Sequence, residues 1–352
     1  MISKVLSTLQ SEGVLPEEAT EAHTEKMEDM IKAFWISQIV GTLAKLGIPD
    51  HLAGGARAAD ELAGAIACHA GATYRLMRAA RTLGLVISTP DGRFSITSLG
   101  ETLRSGVPGS MRDAAIALTA PGHWLPWGCL SDAVRAGRHQ TPVVLGAELF
   151  QYYSDNPPEG CAFTCAMSDM SARVADEVAR VIDTSRANHV VDVGGGSGTL
   201  IAALLTRNPA LTGAILDRPD VAPRAKAAIA EHGLSSRCHV LEGDFFVAVP
   251  KADIHLLKYI LHDWDDEQSV LILSNIAHAL KPNGRVVVIE RVIPEDDRPS
   301  EAALADVNML VLLPGRERTL REYAGLLARA GLRLARVTET ALQFNVIEAS
   351  SA

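Results

Sequence analysis

The chain is poor in several residue types, and each shortage removes a class of protein. Cysteine is scarce and odd in number, with Cys68, Cys129, Cys161, Cys165 and Cys238 scattered over 352 residues. They lay out no disulfide framework, so a reducing compartment, the cytoplasm, is the expected location. Cys161 and Cys165 would share one helix face, but no His–Cys grouping beside them completes a metal set. No apolar run approaches the roughly 18–20 residues that cross a membrane. The opening MISKVLSTLQSEGVLPEEATEAHTEK lacks the basic and apolar regions of a secretory leader. Basic charge is in deficit, 33 Lys and Arg against 42 Asp and Glu, for a net −9. That balance argues against broad attraction to nucleic acid or anionic membrane. What the chain does have is apolar content, 47% of residues, enough for a substantial core. Its length suits two domains, or one large domain with additions.

A further absence is instructive. The apolar run Val190–Val193 ends in Gly194, Gly195, Gly196, Ser197 and Gly198, then passes into a helix-like segment with Leu200, Ile201, Leu204 and Leu205. Strand, glycine turn and helix open a nucleotide-type cofactor site, where backbone must approach a ligand without Cβ atoms in the way. A dinucleotide fingerprint needs a glycine at the sixth position from Gly194, but Thr199 stands there. Gly194-x-Gly196-x-Gly198 with Asp192 just ahead suits S-adenosylmethionine (SAM), which has no pyrophosphate to seat.

Along the chain, Met30–Ile48 is apolar on more than one helix face. It is either a core helix or one packed on a second subunit. Residues 57–105 predict a helix at Ala59–Ala67 and another at Thr73–Leu83. A hairpin follows, Leu85–Ser88 and Phe94–Thr97, around Pro90-Asp91-Gly92. That pattern resembles a winged helix-turn-helix. Arg75, Arg78 and Arg81 on its second helix either face a nucleic acid, or are merely solvated or cover a neighbouring element through their stems. Residues 108–185 read as mainly helical. Phe163, Met167 and Met170 lie there at i, i+4 and i+7, which suits a core stripe or a pocket for a flat apolar ligand.

From His189 onward strands and helices alternate, predicting an α/β domain with a doubly wound sheet. Its last two strands, Leu332–Val337 and Phe344–Ile347, would form a terminal antiparallel pair. Polar residues gather at strand ends, where open α/β sheets bind ligands. Asp217 lies 23 residues after Gly194, near the spacing at which an acidic residue receives a ribose diol; the alternative is a helix N-cap. Asp244 could accept an adenine amino group, with Phe245 against the ring. Lys258 sits in an otherwise apolar strand, either paired at the site or marking an edge.

The motifs VVDVGGGSG, LD, EGDFF, LLKYILHDWDDE, VVVIE and NMLVLLPGRERT carry a resemblance. From about Ala33 to Glu348 the chain resembles the SAM-dependent O-methyltransferases typified by plant caffeic acid O-methyltransferase, in the style of bacterial relatives that decorate antibiotics and pigments. The resemblance implies a Rossmann-like SAM domain at 186–352. It also implies a mainly helical N-terminal winged-helix dimerisation domain at 1–107, with a helical substrate-pocket region at 108–185 between them. A homodimer through the N-terminal helices, a small aromatic substrate, and no nucleic-acid or membrane partner follow from it. It makes His262 the general base, oriented by flanking Glu290 and Glu317. Asp192, Gly194, Gly196, Asp217, Asp244, Phe245 and Lys258 become cofactor residues. Phe163, Met167, Met170, Asp263, Asn308 and Met309 become substrate residues. S-adenosyl-L-homocysteine would be the product and no metal is implied, the acidic run after His262 reading as the start of the next helix. Met170 stands where the plant enzyme has a pocket histidine and Leu313 where it has an asparagine, so a phenylpropanoid acceptor is disfavoured.

The chemistry agrees. With ordinary values near 10 for a phenol and about 6.5 for histidine, proton transfer to His262 is uphill by roughly 5 kcal/mol. Flanking carboxylates would narrow that gap by stabilising the imidazolium. Two other readings stay open: a family member with altered chemistry (N- or C-methylation, hydroxylation or decarboxylation), and a non-enzymatic winged-helix regulator.

Overall fold

The computed structural model describes residues 17–296, 298–342 and 344–352. Its contacts divide the chain into two compact units, Met1–Trp124 and Leu125–Ala352. The helical stretch 108–185, set apart in the sequence, is thus shared between them. Helix Arg112–Thr119 belongs to the first unit. Helix Pro157–Val181 belongs to the second, whose core receives Val174, Ala175, Val178 and Ala179 from it.

In the first unit a long helix, Glu17–Lys45, precedes helices Ala59–Ala65 and Ala70–Thr82 and the hairpin of β1 (Val86–Ser88) and β2 (Phe94–Ile96). The winged-helix expectation matches this order. Leu43, Ile48, Leu62, Met77, Val86 and Phe94 form its core. The apolar helix is divided in its environment. Its C-terminal part enters the core, whereas Met30, Phe34, Ile31 (65% exposed) and Trp35 (53% exposed) face outward. Arg81 donates to the Ser88 hydroxyl at 3.1 Å and Arg78 lies over the Tyr74 ring. Two of the three arginines are thus engaged within their own unit.

The second unit is built on a seven-stranded sheet. Its strands are β3 (His189–Val193), β4 (Thr212–Asp217), β5 (Cys238–Glu242), β6 (Ala252–Lys258), β7 (Leu280–Glu290), β10 (Leu332–Glu339) and β11 (Asn345–Ser351). The order is β10-β11-β7-β6-β3-β4-β5, parallel from β7 to β5, with β11 antiparallel to β7 and β10 antiparallel to β11. The expected terminal antiparallel pair is present. A small parallel pair, β8 (Val292–Ile293) with β9 (Arg318–Thr319), lies outside the sheet. The central strands read as continuous apolar runs because both faces are covered. One face packs on Leu200, Ile201, Leu204 and Val178, the other on Ile272, Ile276, Tyr323 and Leu327. Strand order reverses between β3 and β6, so the crevice at their carboxyl ends is where such a sheet takes a ligand.

Local sequence chemistry sets the boundaries near that crevice. The acidic run after His262 does begin a helix, Asp266–Ala279, and the Asp265 carboxylate caps it by accepting the Gln268 N–H at 2.8 Å. Thr319 and Glu322 form a capping box on helix Leu320–Arg329.

Candidate active site

The glycine turn follows β3 directly. Gly194 has φ +68°, and a Cβ there would stand 2.4 Å from Ile260 Cδ1 and 3.6 Å from the Phe245 ring. Only glycine satisfies both the left-handed backbone and the close approach. This is the cradle a ligand backing onto main chain requires. Asp192 is buried beneath it, with one carboxylate oxygen unpaired. Burial pushes its carboxyl up to about 7; Lys258 opposes the rise and Asp217 adds to it. Asp192 therefore supports the turn from below.

Asp217 ends β4. Its Oδ2 accepts the Gly196 N–H at 2.7 Å and its Oδ1 accepts the Arg218 N–H at 2.7 Å. It is not a helix N-cap, since Val221 holds that place for the next helix. Burial raises its pKa against these backbone bonds. Asp244, two residues beyond β5, accepts the Phe246 N–H at 2.8 Å, and Phe245 packs against Phe246 and Trp264. Lys258, the last residue of β6, donates to Ser171 Oγ at 2.7 Å. Burial lowers the Lys258 ammonium to about 8, with Glu290 and Asp192 opposing the fall. Ser168 meets Ser197 of the glycine turn at 2.7 Å, so helix Pro157–Val181 is fastened to the crevice at two points. Gly194, Gly196, Asp217, Phe245 and Lys258 thus lie at the ends of the adjacent strands β3, β4, β5 and β6.

His262 lies on a short 3-10 turn, Leu261–Asp263, just after β6. Its Nδ1 is 2.8 Å from Glu317 Oε1 and 3.8 Å from Glu290 Oε2, while Nε2 is 3.3 Å from Asp263 Oδ1. The two glutamates do not stand on opposite sides of the ring, as flanking implied. Both lie on its Nδ1 edge. Glu290 has a second task, because its Oε1 accepts the N–H groups of Ile260 (3.1 Å), Leu261 (3.1 Å) and His262 (3.4 Å). All four side chains are buried or nearly so. Desolvation alone would lower the imidazolium pKa. Glu290, Asp263 and Glu317 outweigh it and raise His262 to about 10. Burial raises Glu290 to about 7, with His262 opposing and Glu317 and Asp263 adding. With such a value the imidazole is protonated near neutral pH, Nδ1–H on Glu317 and Nε2 beside Asp263.

The substrate residues expected from resemblance lie on three elements. Phe163 stacks on Tyr153 at 4.8 Å, and Met309 is buried against Leu312 and Leu313. Asn308 Oδ1 accepts the indole N–H of Trp127 at 2.9 Å. Met167 and Met170, half-buried, share the face of helix Pro157–Val181 that carries Phe163. Asp263 stands beside His262 Nε2, at 3.3 Å.

Residues 127–333 match the model of an O-methyltransferase domain, and residues 28–106 that of an O-methyltransferase dimerisation domain. The chain belongs to the O-methyltransferases. It is 37% identical to the mitomycin biosynthesis 6-O-methyltransferase of Streptomyces lavendulae, over 90% of this chain and 91% of that one. The solved structure of the mitomycin 7-O-methyltransferase MmcR superposes with TM-score 0.90 at 36% identity, covering 96% of this chain and all of the other. The aclacinomycin 10-hydroxylase RdmB of Streptomyces purpurascens is also similar, 35% identical over 83% of this chain and 80% of its own.

In this SAM-dependent O-methyltransferase the outward Met30, Ile31, Phe34 and Trp35 fall inside the dimerisation domain. This favours the second-subunit reading of that helix over the core reading. Two parts of the site went unread in the sequence. Arg318 is fully buried, and donates to Leu261 O and Trp264 O, both at 2.8 Å, and to Asp266. It therefore closes the other side of the turn that Glu290 holds. Gly315 passes so near this turn that a Cβ would be 1.9 Å from the His262 carbonyl oxygen. Both lie in NMLVLLPGRERT, whose Pro-Gly and paired arginines were the available signal.

Proposed function

We propose that this enzyme methylates a phenolic or enolic hydroxyl on an aromatic, polycyclic or quinone-like secondary metabolite, in the cytoplasm of an antibiotic- or pigment-producing cell. The observation that carries the reading is the 2.8 Å contact between His262 Nδ1 and buried Glu317, in a site that makes the imidazole unusually basic. Gly194, Gly196, Asp217, Asp244, Phe245 and Lys258 would hold the methyl donor, over a turn supported by Asp192. When bound, SAM supplies an electrophilic methyl group on a sulfonium whose sulfur departs as a neutral thioether. The protein's own contribution is to hold the acceptor oxygen in line and remove its proton. Positioning supplies roughly 7–11 kcal/mol of such a barrier.

An ordinary histidine would face a climb of roughly 5 kcal/mol to deprotonate a phenol of pKa near 10. Against the neutral imidazole of His262, raised to about 10, the transfer is nearly level; that form is scarce near pH 7, so turnover should climb as pH rises toward about 10. The proton passes from the acceptor hydroxyl to Nε2, and Glu317 compensates the imidazolium through Nδ1–H. Phe163, Met167, Met170, Asn308 and Met309 are assigned to the acceptor, with Asp263 beside its hydroxyl.

No metal enters this reading. The candidate ligand atoms of His262, Glu290 and Glu317 lie within 4.8 Å of one another. Glu290 Oε1 serves three N–H groups and Glu317 Oε1 serves the imidazole, while Oε2 of each has no hydrogen-bond partner, so activity in the presence of chelator decides the point. A partnership with nucleic acid is not proposed either, given the −9 charge. No helix among the described residues is long and apolar enough to cross a membrane.

The test is mass spectrometry of a panel of phenolic and quinone acceptors incubated with labelled SAM. Methyl gain is expected, unchanged by chelator, with His262→Ala slower by a factor on the order of 100 or more while SAM still binds. Parent-like turnover in that variant would remove the base, and loss of activity restored by magnesium would remove the metal-free reading. The hydroxylase relative favours one alternative, altered chemistry. Oxygen gain or carbon dioxide loss in the same assay would establish it.

A further inference from the structure

Tyr259 is a bulky residue where the backbone asks for glycine. It follows β6 with φ +55°, and among the described residues only Ala67 and Asn283 are other non-glycines with positive φ. Glycine would hold this conformation without strain, so what the side chain touches gives the reason to look there. Its ring stacks on the His262 imidazole, with centroids 4.8 Å apart and planes within 10°. The Lys258 ammonium lies 4.3 Å from the same ring centroid, and the Phe344 ring packs against it at 5.2 Å. The hydroxyl accepts from Arg291 Nε at 3.1 Å, and Arg291 is paired with Glu301 at 2.8 Å.

The backbone around Tyr259 is fixed as firmly as its ring. Its own N–H donates to Ile289 O at 3.2 Å, and the next three N–H groups converge on Glu290. The backbone of this turn is therefore held by Ile289 and Glu290, the last two residues of β7. Glu317 meets His262 at Nδ1 (2.8 Å) and Asp263 meets it at Nε2 (3.3 Å), so both hold the ring by its nitrogens. A flat face parallel to the ring limits its tilt out of that plane. An aromatic face also favours the charged imidazole over the neutral one.

We propose that Tyr259 is a positioning residue of the reaction: its ring, held in a left-handed turn, stacks on His262 and sets the plane in which Nε2 meets the acceptor hydroxyl. This rests on the reading of His262 as base. The charged groups facing His262 are Asp263, Glu290 and Glu317, and those facing Tyr259 are Lys258, Arg291, Glu290 and Glu317. None of them is itself substituted; Arg291 loses its phenol partner in all three variants, and Lys258 loses the ring in leucine and glycine.

The test uses the full-length enzyme with Tyr259→Phe, Tyr259→Leu and Tyr259→Gly, beside His262→Ala. The His262 imidazole is titrated by NMR without acceptor, and turnover is measured with the phenol that the acceptor panel returns. Phenylalanine keeps the face and should leave kcat within about threefold of the parent. Leucine should slow kcat about tenfold or more, the range of small misplacements, with KM for SAM within about threefold. In leucine the upfield ring-current shift of His262 disappears and its titration midpoint falls by about 0.5–1 pH unit. Glycine relieves the backbone and removes the ring, so it should be as slow as leucine and at least as stable. Should leucine fail to fold, glycine carries the comparison alone. Parent-like turnover, titration and resonance in leucine or glycine overturn the proposal, as does a phenylalanine variant as slow as leucine. Failure of the base reading has its own signature, a parent-like His262→Ala. A parent-like Tyr259→Leu beside an inactive His262→Ala overturns only the role of Tyr259.

Discussion

Glu317→Gln changes one oxygen to an amide nitrogen, and its effect follows from the 2.8 Å contact with His262 Nδ1. The parent bond is charge-assisted and buried, roughly twice as strong as its neutral counterpart. Hydrogen bonds to charged groups contribute about 1.5–3 kcal/mol against about 0.5–1.5 for neutral ones. The variant thus loses about 1–1.5 kcal/mol of preference for imidazolium, close to a tenfold loss of basicity. A second loss concerns the tautomer. An amide can turn its NH2 toward Nδ1, which makes Nδ1 the acceptor and leaves the proton on Nε2, where it cannot act as base. The same carboxylate-to-amide change in the serine-protease triad costs about 10⁴ in kcat. Glu290 Oε2 is 3.8 Å from Nδ1, too far to hold the tautomer by direct hydrogen bonding. Glu317→Gln should therefore lower kcat by about 10²–10⁴, with SAM affinity within about twofold because Glu317 does not touch the glycine turn. The assay is kcat and KM between pH 6 and 10.5, with SAM binding by calorimetry. As pH approaches about 10 the phenol ionises unaided, so the variant should recover toward the parent there. A variant within threefold of the parent at pH 7.5, or one with no recovery at high pH, would refute the reasoning.

Three other outcomes are expected. Arg318→Leu strips the donors from Leu261 O and Trp264 O and leaves Asp266 without its buried partner; urea unfolding should show a loss of about 3–5 kcal/mol, and a loss below 1 would mean the turn holds itself. Phe34→Glu with Trp35→Glu places charge on two half-exposed aromatics of the first long helix and should give a monomer by light scattering, whereas an intact dimer would place the interface elsewhere. Asp192 concerns pH: burial raises its carboxyl to about 7 from about 3.9 when unfolded. Its contribution to stability is therefore full below about pH 4 and is lost as pH rises through about 7. Glu290, raised to about 7, and Asp263, raised to about 6, act in the same direction. Melting temperature should fall from pH 5 to 8 at constant ionic strength, and Asp192→Asn should flatten part of that fall; an unchanged slope would show that Asp192 does not titrate in this range.

The parts of the site that the sequence made legible are those set by local chemistry. Val190, Val191 and Val193 are β-branched and lead straight into glycines, so strand and turn could be placed from a few residues on either side. Asp217 and Lys258 were found because they interrupt apolar strands at the last residue. What could not be read is what depends on distant chain. Glu290 and Glu317 reach His262 from 28 and 55 residues away. Their roles came from resemblance, which missed that both lie on one edge of the ring. Arg318 looks like a surface arginine in a run of charges, and nothing local says it will be fully buried. Tyr259 reads as one more apolar strand residue, because the sign of φ leaves no trace in a side chain that is not glycine. Helical period gave Phe163, Met167 and Met170 a common face, but period names a face and not its partner. The same limit applied to Met30–Ile48, where an apolar pattern could not say that its first half would be left uncovered.

The geometry of the turn also explains why so many charges are buried together. A 3-10 turn of three residues, Leu261–Asp263, cannot satisfy its own terminal donors and acceptors. Here Glu290 accepts at the start and Arg318 donates at both carbonyls, so opposite charges close opposite polar ends. That arrangement fastens the backbone, and Arg318 is itself offset by Asp266, so Glu290, Glu317 and Asp263 remain as the excess. With Glu290, Glu317 and Asp263 all ionised around His262, the interior would hold three negative charges against one imidazolium. Burial of unbalanced charge is costly. The site relieves it by holding protons tightly, which is why His262 and Glu290 both titrate above their ordinary values. Affinity for a proton is what a base for a phenol needs once its own neutral form is present, which for His262 means alkaline pH. The anionic excess that is a liability for folding is thus the source of the basicity on which the proposed transfer depends.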